Sequence, residues 1–285
     1  MISTLHGQTT LYSNINTDIR IARETGYQAI ELHTDKLLRY LDAGYSAEDL
    51  RATLKKHGVA PACIDILGAV ERSAPAERRG LMDEARRLCE VADAIGCPTI
   101  QLNAFSALAQ RPWEEIITLT AANIAAIADL GQAYGIRFQV EGAAWTPIQS
   151  LSQCLQLIEA VDRKNVGLVI DFWHLWAGRG TTCEELARLD KDLIYGVHLA
   201  DGKRPPEGEP WVDEKLLRGF LPGDGNLPME EWVAAVKDTG FDGVVSGEIL
   251  NDQLWERDLY ELAADMRHRM EQCWKNSPEG FTYSP

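Results

Sequence analysis

Eight times along the chain a short β-branched or aliphatic run gives way to a longer stretch whose apolar residues recur at helical spacing. The clearest short run is Val166 to Ile170, aliphatic with no polar alternation, the pattern of a strand covered on both faces in a parallel sheet. Similar runs occupy Ile2 to His6, Ala29 to His33, Pro61 to Leu67, Thr99 to Ala104, Arg137 to Gly142, Leu193 to Asp201 and Gly243 to Leu250. Helices are predicted between them. One covers Asp18 to Thr25 and stops at Gly26; the next opens at Ser46, with Glu48 and Asp49 in its first turn, and stops at Gly58. Pro75 to Ile95 carries Leu81, Ala85, Leu88, Val91, Ala92 and Ile95 on one face, with Gly96 as its stop. Pro112 to Tyr134 has Pro in its first turn and Gly135 after its last. Further helices are predicted at Ile148 to Val161, Cys183 to Leu189, Met229 to Thr239 and Trp255 to Trp274, with a longer loop from Gly202 to Pro228.

Taking His6, His33, Asp65, Asn103, Glu141, Asp171, His198 and Glu248 as strand tips, the spacings are 27, 32, 38, 38, 30, 27 and 50. Regular strand-helix alternation implies a parallel sheet, and eight units close most naturally into a single-domain (β/α)8 TIM barrel over residues 1–275, followed by a polar tail over 276–285. A doubly wound open sheet is the alternative. A barrel brings the C-terminal ends of its strands to one mouth, where such folds keep their chemistry.

Residues two apart on a strand share a face. One face collects Gln139/Glu141, Val169/Asp171, Gly196/His198 and Ser246/Glu248; the other, with Phe138/Val140, Leu168/Ile170, Val197/Leu199 and Val245, is apolar and suits packing under helices. Taken singly, Glu141 or Glu248 reads as a barrel acid paired with an arginine such as Arg137, and His198 as a satisfied core histidine. Jointly they put three carboxylates at one mouth with no basic residue on the same tips, a cluster that only a cation or proton uptake relieves. Glu141, Asp171, His198 and Glu248 are therefore expected to hold one divalent metal ion. A mostly oxygen donor set suits Mn2+ first, and also Co2+, Mg2+ or Zn2+.

Other residues are candidates for the substrate rim. A separation of three puts Asp171 and His174 on opposite strand faces, so they share a site only if the chain turns after Asp171; the alternative role for His174 is capping that turn. The same holds for His198 and Asp201. Trp145, Trp173, Trp176 and Trp211 lie beyond strand tips or in the long loop, where a ring stacks on a polyol as readily as it packs on a helix. Arg218 is expected to be held over the mouth by the P-G-D-G turn that follows, the alternative being a surface ion pair with Asp213 or Glu214. No Gly-rich phosphate cradle follows the last strands.

Bulk properties narrow the partners. With 285 residues, 45% apolar, the chain supports a large core, and no run approaches the ~20 apolar residues of a membrane span. A formal charge of −15 opposes a nucleic-acid partner. The start MISTLHGQTT has no signal-peptide character, and six cysteines without a C-x-x-C pair read as reduced thiols, so a cytoplasmic location is expected. Monomer, homodimer and homotetramer are equally compatible with this reading.

The ordered set Glu141, Asp171, His198 and Glu248, with D-F-W-H, V-H-L-A-D and P-G-D-G nearby, resembles the xylose isomerase-like sugar isomerase/epimerase barrels from Ile2 to about Trp274. Within that group T-T-L-Y-S-N, E-T-G-Y-Q-A-I-E-L, D-K-L-L-R-Y-L, N-V-G-L-V-I-D-F-W-H and D-E-K-L-L-R-G-F-L-P-G-D-G are most similar to the inosose isomerases. Arg218 sits one residue farther from the P-G-D-G turn than that pattern has it, which puts the rim in question. The resemblance implies that the metal grips the carbonyl and adjacent hydroxyl of an α-hydroxyketone, a keto-polyol or ketose, while Glu141 and Glu248 remove and return the proton through an enediolate. From their positions, substrate contacts are expected at His174, Arg218, Asp201 and Trp145. The dehydratases of the same superfamily, of the inosose or 3-dehydroshikimate type, fit the same motifs; an AP endonuclease-like enzyme would want more His and Asp ligands and a basic groove. A catalytically inactive sugar-binding protein is the remaining alternative.

Overall fold

In the computed structural model, which describes residues 1–209, 213–278 and 280, the eight expected runs are parallel strands of one closed barrel. They are β1 (Ile2–His6), β2 (Ala29–His33), β3 (Ala60–Gly68), β4 (Thr99–Asn103), β5 (Arg137–Glu141), β6 (Val166–Asp171), β7 (Ile194–Leu199) and, after a two-stranded ribbon of β8 (Asp201–Gly202) with β9 (Arg218–Phe220), β10 (Val244–Gly247). The ring closes in the order β1-β10-β7-β6-β5-β4-β3-β2. The open-sheet alternative is thereby excluded.

The strand faces divide as parity requires. Phe138, Leu168, Ile170, Val197, Leu199 and Val245 are buried beneath the helices. The helix Trp113–Gln132 sits so close over Phe138 that a Cβ on Gly131 would come 2.4 Å from the ring. On the inward face Gln139 donates to Gln101 Oε1 at 2.7 Å. Gly196 leaves room for that amide, since a Cβ there would stand 3.1 Å from Gln139 Oε1.

Register places the tips side by side. His6 pairs with Glu31, His33 with Asp65, Asn103 with Glu141, and Asp171 with His198. Helix ends differ where caps decide them. The first helix starts at Ile15, three residues before the expected start, because the Asn14 side chain accepts from Thr17 N. Thr34–Asp42 is an additional helix that abuts β2 directly, capped by the His33 ring. The last expected helix is two, Asp252–Trp255 and Leu259–Asn276, the second capped by Asp258. The long loop contains the β8/β9 ribbon and a turn of helix at Glu214–Leu217. Among the described residues no helix is long and apolar enough to cross a membrane. Trp211 and most of the expected polar tail lie outside the described residues.

Candidate functional site

At the C-terminal mouth of the barrel one donor atom each from Glu141, Asp171, His198 and Glu248 lies within 4.8 Å of all the others. His198 Nδ1 faces Glu248 Oε2 at 3.1 Å, Glu141 Oε1 at 3.5 Å and Asp171 Oδ2 at 3.9 Å. All four side chains are buried. The expected convergence of the four tips is therefore what the fold produces.

Neighbours hold the other atoms of these groups. Asn103 Nδ2 donates to Glu141 Oε2 at 2.8 Å, and His174 N donates to Asp171 Oδ1 at 2.8 Å. The second bond is an N-cap: β6 ends at Asp171, and the helix Phe172–Ala177 starts on its carboxylate. That turn is what brings His174 to the same mouth despite its three-residue separation, so the capping group is Asp171. Glu31 Oε2 meets His198 Nε2 at 3.3 Å. His6 packs edge-on against the His198 ring at 4.8 Å, with its Nε2 3.6 Å from Asp65 Oδ2.

Arg218 reaches the mouth and also pairs with Glu214, the partner named in the alternative reading. It is buried, not held over the mouth by the P-G-D-G turn: Nη2 donates to Asp171 Oδ2 at 2.5 Å and also to Glu248 Oε2, while Nη1 reaches Glu214 Oε1 at 3.0 Å and His174 Nε2 at 2.9 Å. The strand tips lack a base, as read from the sequence, but the long loop supplies one. The turn is held by Asp201, whose Oδ1 accepts from Gly202 N and Leu227 N and whose Oδ2 accepts from Gly223 N and Gly225 N, at 2.7 to 3.2 Å. The Asp201 carboxylate, expected at the substrate rim, is thus turned to the loop backbone. Trp145 is at the rim, 36% exposed, stacked on Phe105 and donating from Nε1 to Glu214 Oε2 at 3.2 Å. Trp173, by contrast, is fully buried with its Nε1 bonded to Lys203 O.

Charge is unevenly compensated here. Burial disfavours ionisation of Glu248, yet Arg218, His6 and His198 outweigh it and hold its carboxyl well below the usual range. Burial pushes Asp171 up to about 7, with Glu141 and Glu248 adding to the effect and Arg218 only partly offsetting it. His198 is driven well above its ordinary value: burial opposes its charge, but Glu31, Glu141 and Glu248 prevail. Burial, with Glu248 next, likewise raises Asp65. One guanidinium does not neutralise this set, so protons take up the excess, the behaviour a divalent cation would replace.

The residues fit such an ion. Glu141 Oε1 and His198 Nδ1 are buried and make no hydrogen bond, while the partner atom of each group is engaged from behind. Buried polar atoms are otherwise almost always paired, and a four-donor set of oxygens and one imidazole nitrogen is that of a divalent metal. A cavity of about 510 Å³ at the opposite end of the barrel, lined by Arg137, Lys191, Tyr195 and Asp242 among others, contains none of these donors.

Sequence reading missed Glu31 altogether and assigned no role to Asn103, His6 or Asp65 beyond being strand tips. The parity that selected the ligands also points Glu31 inward, in register with His6.

Comparison with known proteins agrees with this fold. An inosose isomerase of Bacillus velezensis is 27% identical over 256 residues, 89% of this chain and 88% of that protein. A 3-dehydroshikimate dehydratase of Pseudomonas aeruginosa is 27% identical over 140 residues, 47% of this chain and 21% of that protein. The crystal structure of the IOLI protein with a binding zinc atom superposes with a TM-score of 0.90 at 22% identity, covering 97% of this chain and 99% of that one. The profile described as xylose isomerase-like TIM barrel matches residues 19–272, and the chain belongs to that family.

Proposed function

We propose that the protein is a divalent-metal-dependent isomerase or epimerase of an α-hydroxyketone, a keto-polyol of the inosose type. The observation that carries this reading is the convergence of Glu141, Asp171, His198 and Glu248 around two unpaired buried donor atoms. The similarity to an inosose isomerase over 89% of this chain and 88% of that protein supports the substrate class. When bound, the ion supplies Lewis-acid polarisation of the carbonyl and of its neighbouring hydroxyl. Mn2+ suits the oxygen-rich set; Zn2+, which the IOLI protein holds, stands beside it.

The chain's own groups move the proton. Glu248 stays ionised under the influence of Arg218, His6 and His198 despite its burial, the state a general base needs. Glu141 stands three strands away in barrel order, on β5, with Oε2 fixed by Asn103. One carboxylate takes the proton from the carbon bearing the hydroxyl. Return to the former carbonyl carbon, with the hydroxyl proton passing between the two oxygens, exchanges carbonyl and hydroxyl; return to the original carbon from the other carboxylate inverts it. Arg218, whose Nε is buried and unpaired, is the donor placed to orient a substrate oxygen and stabilise the enediolate charge, with His174 Nε2 accepting from its Nη1 at 2.9 Å. Trp145 offers an exposed ring at the rim.

The test is 2-keto-myo-inositol in D2O with protein loaded with Mn2+ or Zn2+. Deuterium incorporation with retention of the keto-polyol is expected. Loss of water without isomer formation would favour the second reading, a dehydratase, which the partial similarity to a 3-dehydroshikimate dehydratase supports. Absence of both on inososes and ketohexoses would overturn the proposal.

A further inference from the structure

We infer that Glu31 is a positioning residue of the metal centre, selecting the His198 tautomer that leaves Nδ1 free as a donor; this rests on the proposed reading of the mouth. Glu31 lies mid-way along β2, two residues short of the tip, and its side chain points into the barrel with 1% exposure. A carboxylate in such a place is costly unless its charge is used. Among the described residues its ion-pair partner is His198, with Oε2 3.3 Å from Nε2.

The two nitrogens of one ring face different demands. Nε2 points down the barrel at Glu31, and Nδ1 points up at Glu141, Asp171 and Glu248. A carboxylate accepts only, so Glu31 holds a proton on Nε2, and an ion that displaces the proton at Nδ1 meets the ring's lone pair there. The His6 ring, edge-on at 4.8 Å, restricts rotation of His198 out of this orientation. Carboxylate partners of ligating histidines raise ligand basicity and fix ring orientation, and their loss typically weakens metal affinity about 10- to 100-fold. Asn103 does the corresponding work for Glu141 through a neutral amide. Glu31 differs because it also supplies negative charge from behind the imidazole.

The experiment compares full-length wild type with Glu31→Gln and Glu31→Asp. Dissociation constants for Zn2+ and Mn2+ are measured by competition with a chromogenic chelator, and the state of the His198 ring nitrogens by long-range 15N–1H spectra of the Zn2+-loaded protein. Glu31→Gln is expected to weaken both ions about 10- to 100-fold with the far-UV circular dichroism unchanged, and to move the Nε2 resonance of the loaded ring toward that of an imidazole with no carboxylate partner. Glu31→Asp, which keeps the charge, recovers part of the affinity. Wild-type affinity and an unaltered Nε2 resonance in Glu31→Gln overturn the inference alone, as does a loss that follows only the unfolded fraction. A wild type that binds neither ion overturns the metal reading and this inference with it.

Discussion

Arg218 Nη2 and Asp171 Oδ2 meet at 2.5 Å across 47 residues of sequence, so that a side chain from the long loop becomes part of the mouth. The same nitrogen also donates to Glu248, and the neighbouring Nη1 to Glu214. Replacing it with Met removes the one guanidinium of the cluster while keeping much of its length. Turnover of 2-keto-myo-inositol by Arg218→Met is expected to fall about 100- to 1000-fold, mostly in kcat, because a charge-stabilising donor is lost. Metal content should persist, since all four donors remain and Arg218 is not one of them. Steady-state kinetics beside elemental analysis decide this; an unchanged kcat removes Arg218 from the mechanism.

Glu248→Gln separates base from scaffold. The amide keeps shape but neither accepts the carbon proton nor leaves Arg218 with its second carboxylate. Isotope exchange at the substrate carbon is expected to drop by about 1000-fold or more, beyond the contribution typical of a weakly placed general base. Glu141→Gln should retain one half-reaction if the two carboxylates divide the proton transfers. Wild-type exchange rates in both variants would refute the acid/base assignment.

Asp201 illustrates why some of the mouth was legible in the sequence and some was not. Strand parity has a fixed period of two, so Glu141, Asp171, His198 and Glu248 are assigned to one face by counting, and register then gathers them. The Asp171/His174 pair needed only a strand end, which the N-cap provides. The loop from 202 to 228 has no such period. Whether Arg218 or Asp201 faces substrate depends on the β8/β9 ribbon and on backbone N–H groups that no side-chain pattern announces. The helix Thr34–Asp42 went unread for a related reason: no Gly or Pro separates it from β2. Glu31 obeys the parity rule, but a residue short of a tip is not singled out by it.

The consequence for Asp201 is a stability prediction. Asp201→Asn turns one acceptor oxygen into a donor against two backbone N–H groups, either the pair at Gly223 and Gly225 or the pair at Gly202 and Leu227. Each buried donor left unpaired costs about 1–3 kcal/mol. A Tm lowered by several degrees is expected, at roughly 2–4 °C per kcal/mol for a chain of this size class. Hydrogen exchange should quicken first at Gly223, Gly225 and Leu227. A Tm equal to that of wild type would return Asp201 to the list of substrate contacts.

Buried thiols give the chain a specific alkaline weakness. Burial pushes Cys97 and Cys154 up to about 12, and both side chains are almost wholly inaccessible. Their folded values lie above the unfolded value of about 8.5, so below that pH both states keep the proton and stability is unaffected. Above it the unfolded chain ionises and the folded one does not. Stability therefore falls as pH rises from about 8.5 toward about 12, by roughly 1.4 kcal/mol per pH unit for each such thiol, and levels off once the folded thiols titrate. Urea denaturation at several pH values between these limits measures the slope. Cys97→Ala and Cys154→Ala should each make it shallower, additively because Cys97 lies in the loop before β4 and Cys154 in the helix Leu151–Val161; slopes equal to wild type in both variants would show that other groups carry the alkaline sensitivity.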